Sequence, residues 1–195
     1  VTGRALGGVG HALSMLGEAI EAAAGSIGSA RADASEHAKL AAALEPLHAA
    51  PARIAAHWES AGDAAAAALA WARAADAAMA LGAVREASTH YTRAASLTAD
   101  APAAVALHAK AFTAIRAAGT TGERQTVLAA LLASAERSGA PADQFSALTF
   151  AAVAALDDRD PPGAERLALR AVREFAPPSV VLHVHALSVD AQAAG

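Results

Sequence analysis

Residues Asp63–Leu97 read DAAAAALAWARAADAAMALGAVREASTHYTRAASL. Asp63 can accept from the free N–H groups of a helix start, and an unbroken run of good helix formers follows to Ala80. Gly82 stops that run. A second helix is predicted over residues 84–97, so the stretch is a helix, a three-residue link and another helix. Nothing here alternates with period two, which is what a half-buried strand requires.

The same pattern continues on both sides. Leu6, Val9, Leu13, Leu16, Ile20, Ala23 and Ile27 recur at spacings of three and four, which predicts a helix over 9–24 ended by Gly25 and Gly28. Asp33, with Glu36 three residues on, opens a helix carrying His37, Leu40, Ala41 and Leu44 on one face, and Pro46 ends it. Pro51 opens the next, with Ile54, His57, Trp58 and Ala61 aligned and Gly62 at its close. Beyond Leu97, helices are expected over 102–118, 122–138, 141–156, 160–175 and 179–194, separated by Gly119, Gly139, Asp160-Pro161 and Pro177-Pro178.

Composition narrows the function classes. Roughly a third of the 195 residues are alanine, aromatics are 4%, and charged residues are 17%. Such a chain lacks the β-branched and aromatic residues of a thick sheet core. The net charge of −4 supplies no basic field for nucleic acid, and the absence of cysteine removes disulfides, thiolate zinc sites and cysteine nucleophiles. The apolar run after Arg4 is broken by Gly7, Gly8, Gly10 and Gly17 and followed by Glu18 and Glu21, unlike a secretory signal. No eighteen-residue apolar span occurs, so no membrane contact and a cytoplasmic location are expected.

A weak internal repeat is visible. Ala87 and Ala94 stand seven apart with Tyr91 between them, the shape of the second helix of a tetratricopeptide repeat (TPR). Ala164 and Ala171 repeat the spacing 77 residues later, about two units of slightly more than 34 residues. Methyl side chains at such positions let helices approach to about 8 Å. These four alanines, with Tyr91 and Trp58, are the expected repeat-packing residues.

The stretch IAAHWESAGD (Ile54–Asp63), followed by Leu69, Trp71, Arg73-Ala-Ala75 and GAVREA (Gly82–Ala87), resembles the helical-repeat region of actinobacterial LuxR-type ATP-dependent regulators of the STAND class, the AAA–TPR proteins. SEHAKLAAALE (Ser35–Glu45) is similar to the segment this family places before its repeats, and His11-Ala-Leu13 with Glu18-Ala-Ile20 is similar to a helix further upstream. The resemblance implies a helical lead-in over 1–50, like the family's winged-helix linker, and TPR-like repeats over 51–195 with the last repeat incomplete. It implies an all-α fold in which antiparallel helix pairs stack as a right-handed solenoid, and a role in a transcriptional regulator. In that family an NTPase domain precedes the repeats and a helix-turn-helix often follows.

Neither of those domains is in this sequence. No G-x-x-x-x-G-K-[ST] occurs; Gly3, Gly7, Gly8 and Gly10 have no lysine after them, and Lys39 and Lys110 are the chain's two lysines. Residues 179–194 hold no Lys or Arg for phosphate contacts. Neither ATP nor duplex DNA is therefore expected to bind, and no cofactor is expected.

Side chains with chemical potential have structural explanations. His183 and His185 diverge by about 200° on a helix, whereas a helical metal pair needs spacing of three or four. His57 and Trp58 fall in a packing stripe. His11, His37, His48 and His108 lack carboxylates at useful spacing, and nothing marks a serine triad. Asp157, Asp158 and Asp160 read as a helix stop and a new N-cap, since Arg159 and Pro161 do not suit a cation loop. Arg166, Arg170 and Arg173 cluster at about 200°, 240° and 180° from Ala164, facing away from the core. Together with His90 they form the candidate partner-contact face.

The sequence thus predicts a module with no catalytic, cofactor-binding or metal residues, whose partner is a protein or a small-molecule inducer. A free-standing TPR-like adaptor is the alternative. Val180, Val181, Val184, Leu187 and Val189 make the last helix strongly apolar, and self-association through that end or a lost downstream segment is expected.

Overall fold

The computed structural model describes residues 34–175 apart from His48, together with Met15 and Gly17, both in helical conformation. The expected helices over 9–24 and 179–194, the cap at Asp33, and His11, His48, His183 and His185 lie outside the described residues. From Ala34 onward the chain is all-helical, with no strand among the described residues: α1 Ala34–Leu44, α2 Pro51–Ser60, α3 Ala64–Ala80, α4 Val84–Leu97, α5 Ala101–Ile115, α6 Thr121–Ser138, α7 Pro141–Asp157 and α8 Pro161–Phe175.

Several helix boundaries have a local cause. Asp63 Oδ1 accepts from the Ala66 N–H at 2.9 Å and starts α3. Thr120 and Glu123 form a reciprocal capping box at α6. Asp160 Oδ1 accepts from the Gly163 N–H at 3.0 Å, and a Cβ at Gly163 would make that carboxylate shift. Prolines 51, 102 and 141 occupy first-turn positions, where no N–H is required. Gly62, Gly82 and Gly139 take φ of 80°, 74° and 66° in the links, a region that L side chains avoid.

One boundary differs from the sequence expectation. α5 stops at Ile115 rather than reaching residue 118. The Gly119 N–H folds back onto the Ile115 carbonyl at 2.7 Å. Arg85 donates to the Ala118 carbonyl at 2.7 Å and Arg124 to that of Gly119 at 2.9 Å. Two guanidinium groups from other helices thus satisfy free carbonyls in the link between α5 and α6.

Each helix packs on its neighbours in sequence, and α5 also touches α7. From α2 onward the links are two to five residues long. Ala41 and Leu44 of α1 share an apolar cluster with Ile54, Ala55 and Ala70, flanked by Trp58 and Trp71. The middle of the chain is held by Ala75, Tyr91, Phe112, Ile115 and Val127. Val105, Leu131, Ala135 and Ala147 form a third cluster.

Residues 54/58 of α2, 87/91/94 of α4, 127/131/134 of α6 and 164/168/171 of α8 follow one another at helical spacings of three and four. Ala87, Ala94, Ala164 and Ala171 are buried, as are Tyr91, Leu131 and Ser134. Trp58 is half-buried against the first cluster. Ion pairs bridge elements of successive units: Arg93 with Glu59, Arg85 with Glu123, Arg116 with Asp157 at 2.7 Å, and Arg124 with Asp158 at 3.0 Å. Solvent screens the more exposed of these pairs, so they add little to stability, and Arg124–Asp158 is the most covered of the four.

Candidate functional site

Apolar surface faces a gap between α3 and α5. A cleft of about 630 Å³ runs there, lined by Ala68, Leu69 and Ala72 of α3, Leu97 of α4, and Ala106 and Leu107 of α5. Its width follows from composition. Alanine stops at Cβ, so facing alanines leave a trough that leucines would have filled. Leu69 is 70% exposed on its wall, a large apolar side chain held in water by the helix that carries it.

Ala106 and Lys110 also line a second cleft of about 290 Å³ on the other side of α5, with Met79, Tyr91, Thr113 and Phe150. The two clefts therefore meet across α5. At their junction the Lys110 ammonium lies 5.3 Å from the Tyr91 ring centroid and 3.4 Å from Asp76 Oδ1. The Tyr91 hydroxyl donates to the same carboxylate oxygen. Burial, reinforced by Asp76, pushes the Tyr91 phenol up to about 12, so it stays protonated and keeps donating.

A serine–histidine pair exists that sequence spacing did not show. Ser134 on α6 and His108 on α5 stand 2.9 Å apart, Oγ to Nδ1, and Arg137 donates to the same Oγ at 2.9 Å. The pair resembles a nucleophile and its base, but Ser134 is fully buried and His108 is 5% exposed. No substrate reaches that hydroxyl. The network instead satisfies polar groups inside the core.

Burial, followed by the Arg137 charge, lowers the His108 pKa below its usual value near 6.5. The unfolded chain takes a proton there as the pH drops through about 6.5, while folded His108 still resists it. Stability contributed by neutral His108 is therefore complete above that pH and is lost progressively below it, until the folded imidazole itself titrates. Each unit of depression corresponds to about 1.4 kcal/mol. His108→Phe should flatten the fall in melting temperature between pH 7 and pH 5; equal slopes for the variant and the parent would contradict the assignment.

The residues expected at a partner-contact face are not brought together as one. Arg166, Arg170 and Arg173 are exposed on α8, and Arg170 pairs with Glu174 at 3.0 Å. His90 stands on α4 and is largely covered, its side chain 13% exposed. Its ring lies 4.9 Å from that of Trp71, whose indole N–H donates to Glu59 at 2.9 Å, and Arg93 completes that carboxylate. His90 is thus part of an internal brace among α2, α3 and α4.

His57 packs against His37, with ring centroids 5.2 Å apart and Nδ1 atoms 2.9 Å apart. The aspartate cluster divides its work: Asp157 and Asp158 pair with Arg116 and Arg124, and Asp160 caps α8. The Arg116 hydrogen bond holds Asp157 below the usual carboxylate range. No three His, Asp or Glu side chains converge on a metal position among the described residues, and none of their helices is long and apolar enough to cross a membrane. No family model, curated protein or solved structure matches the chain.

Proposed function

We propose that this chain is a non-catalytic helical-repeat interaction module, of the kind found in LuxR-type STAND regulators, and that the α3–α5 trough receives an apolar segment of a partner protein bearing a carboxylate. The observation that carries this reading is the alanine-lined cleft with Leu69 exposed on its wall and Lys110 at its end. The burial of Ser134 and His108 supports a role without catalysis.

Lys110 sets the chemistry of the occupant. Its ammonium is half-exposed and holds Asp76 at 3.4 Å, a long contact that an incoming carboxylate can replace. Apolar contact along the alanine walls then supplies affinity, and the charge fixes polarity.

The probe is a leucine-rich hexapeptide with a free C-terminal carboxylate, alongside its C-terminal amide. Calorimetric titration should show tighter binding of the acid, a preference lost in Lys110→Met, and loss of both complexes in Ala106→Glu. No binding of either peptide, or equal binding to the parent and Ala106→Glu, would contradict the proposal. Saturable binding of an apolar dye without peptide binding would indicate a small-molecule inducer site instead.

A further inference from the structure

The last described helix pair leaves open a face that the inner pairs cover. Tyr91, between Ala87 and Ala94 on α4, and Leu131, between Val127 and Ser134 on α6, are buried in clusters that include Phe112 of α5 and Ala147 of α7. Ala168 stands between Ala164 and Ala171 at the same spacing on α8, and it is exposed. It lines an apolar cleft of about 430 Å³ with Phe145, Val153 and Leu156 of α7 and Val172 of α8. Leu156, 56% exposed, marks the same opening.

The sequence that follows has matching chemistry. After Phe175, residues 176–178 offer a link as short as those between the inner helices. Val180, Val184 and Leu187 then recur at spacings of four and three, one apolar stripe at helical period. Asp190 is the one charged residue of 179–194, so little charge must be desolvated to bury the stripe, and Glu165 is the one charged residue lining the cleft.

We propose that the α7–α8 cleft is an interaction surface whose occupant is the segment 179–194 of the same chain, seated through Val180, Val184 and Leu187. A second copy of the chain seated there is the competing outcome, and it would make this end the self-association site.

The chain contains no cysteine, so an introduced pair reports alone. Oxidation of Ala168→Cys combined with Val184→Cys should consume both thiols and leave a monomer on a non-reducing gel. Ala168→Cys with Ala186→Cys, about 200° round the stripe from position 184, should keep its thiols free. In the single variant Ala168→Cys, maleimide labelling should be slower than in Ala77→Cys, whose position on α3 is exposed. Disulfide-linked dimers, free thiols in the first pair, equal cross-linking of both pairs, or equal labelling of the two single variants would each overturn the proposal.

Discussion

Phe112→Ala should lower the unfolding free energy by about 3–5 kcal/mol, the cost of truncating a large core aromatic. Phe112 is fully buried, and it meets Phe150 of α7 edge-on with centroids 5.8 Å apart. Its cluster takes residues from α3, α4, α5, α6 and α7, so the cavity would open where five helices converge. Small neighbours such as Ala75, Ala111 and Ala114 have no long side chains to swing into the void. For a chain of this size each kcal/mol is worth about 2–4 °C in melting temperature, so the loss should be plain in a thermal scan. Urea unfolding should show a lowered midpoint. A loss below about 1 kcal/mol would mean that the site collapses freely and that the middle of the array is not tightly packed.

Ala87→Leu and Ala94→Leu should each destabilise by about 1–3 kcal/mol through overpacking. Both are fully buried, and both are expected repeat-packing residues. A leucine at either position must push the adjacent helix outward or adopt a strained rotamer. Ala77→Leu on the exposed face of α3 serves as the control and should change the melting temperature little. Unchanged melting for both buried positions would mean that the helices are not in contact at this register.

Helix positions were legible in the sequence because alanine-rich runs are punctuated by residues with definite backbone roles. Asp63 as a cap, Gly82 and Gly139 as turns, and Pro51 and Pro141 as first-turn residues each act within a few residues of themselves. The end of α5 was not legible for the complementary reason. Arg85 of α4 donates to the link that follows it across 33 residues of sequence, a contact that no local pattern encodes.

The expected repeat rests on Ala87/Ala94 and Ala164/Ala171, which stand out because both members of each pair are small. The spacing of four and three recurs at Val127, Leu131 and Ser134 on α6 with larger or polar residues, so similarity of residue type fails where spacing agrees.

Candidate chemistry was harder still. The Ser134–His108 pair joins two helices at a separation of 26 residues, a contact that packing alone creates. His90 is expected from the sequence on the partner-contact face, yet its ring lies 4.9 Å from that of Trp71 on another helix. The α3–α5 trough is the least legible feature, because it consists of volume that alanine side chains do not occupy.

The proposed partner meets this trough and not the arginine face of α8. In amide chemical-shift mapping with the free-acid hexapeptide, the largest shifts should fall on Ala68–Ala72 and Ala103–Lys110, with Arg166–Arg173 unmoved. Shifts concentrated on Arg166, Arg170 and Arg173, with the α3–α5 amides unchanged, would contradict it.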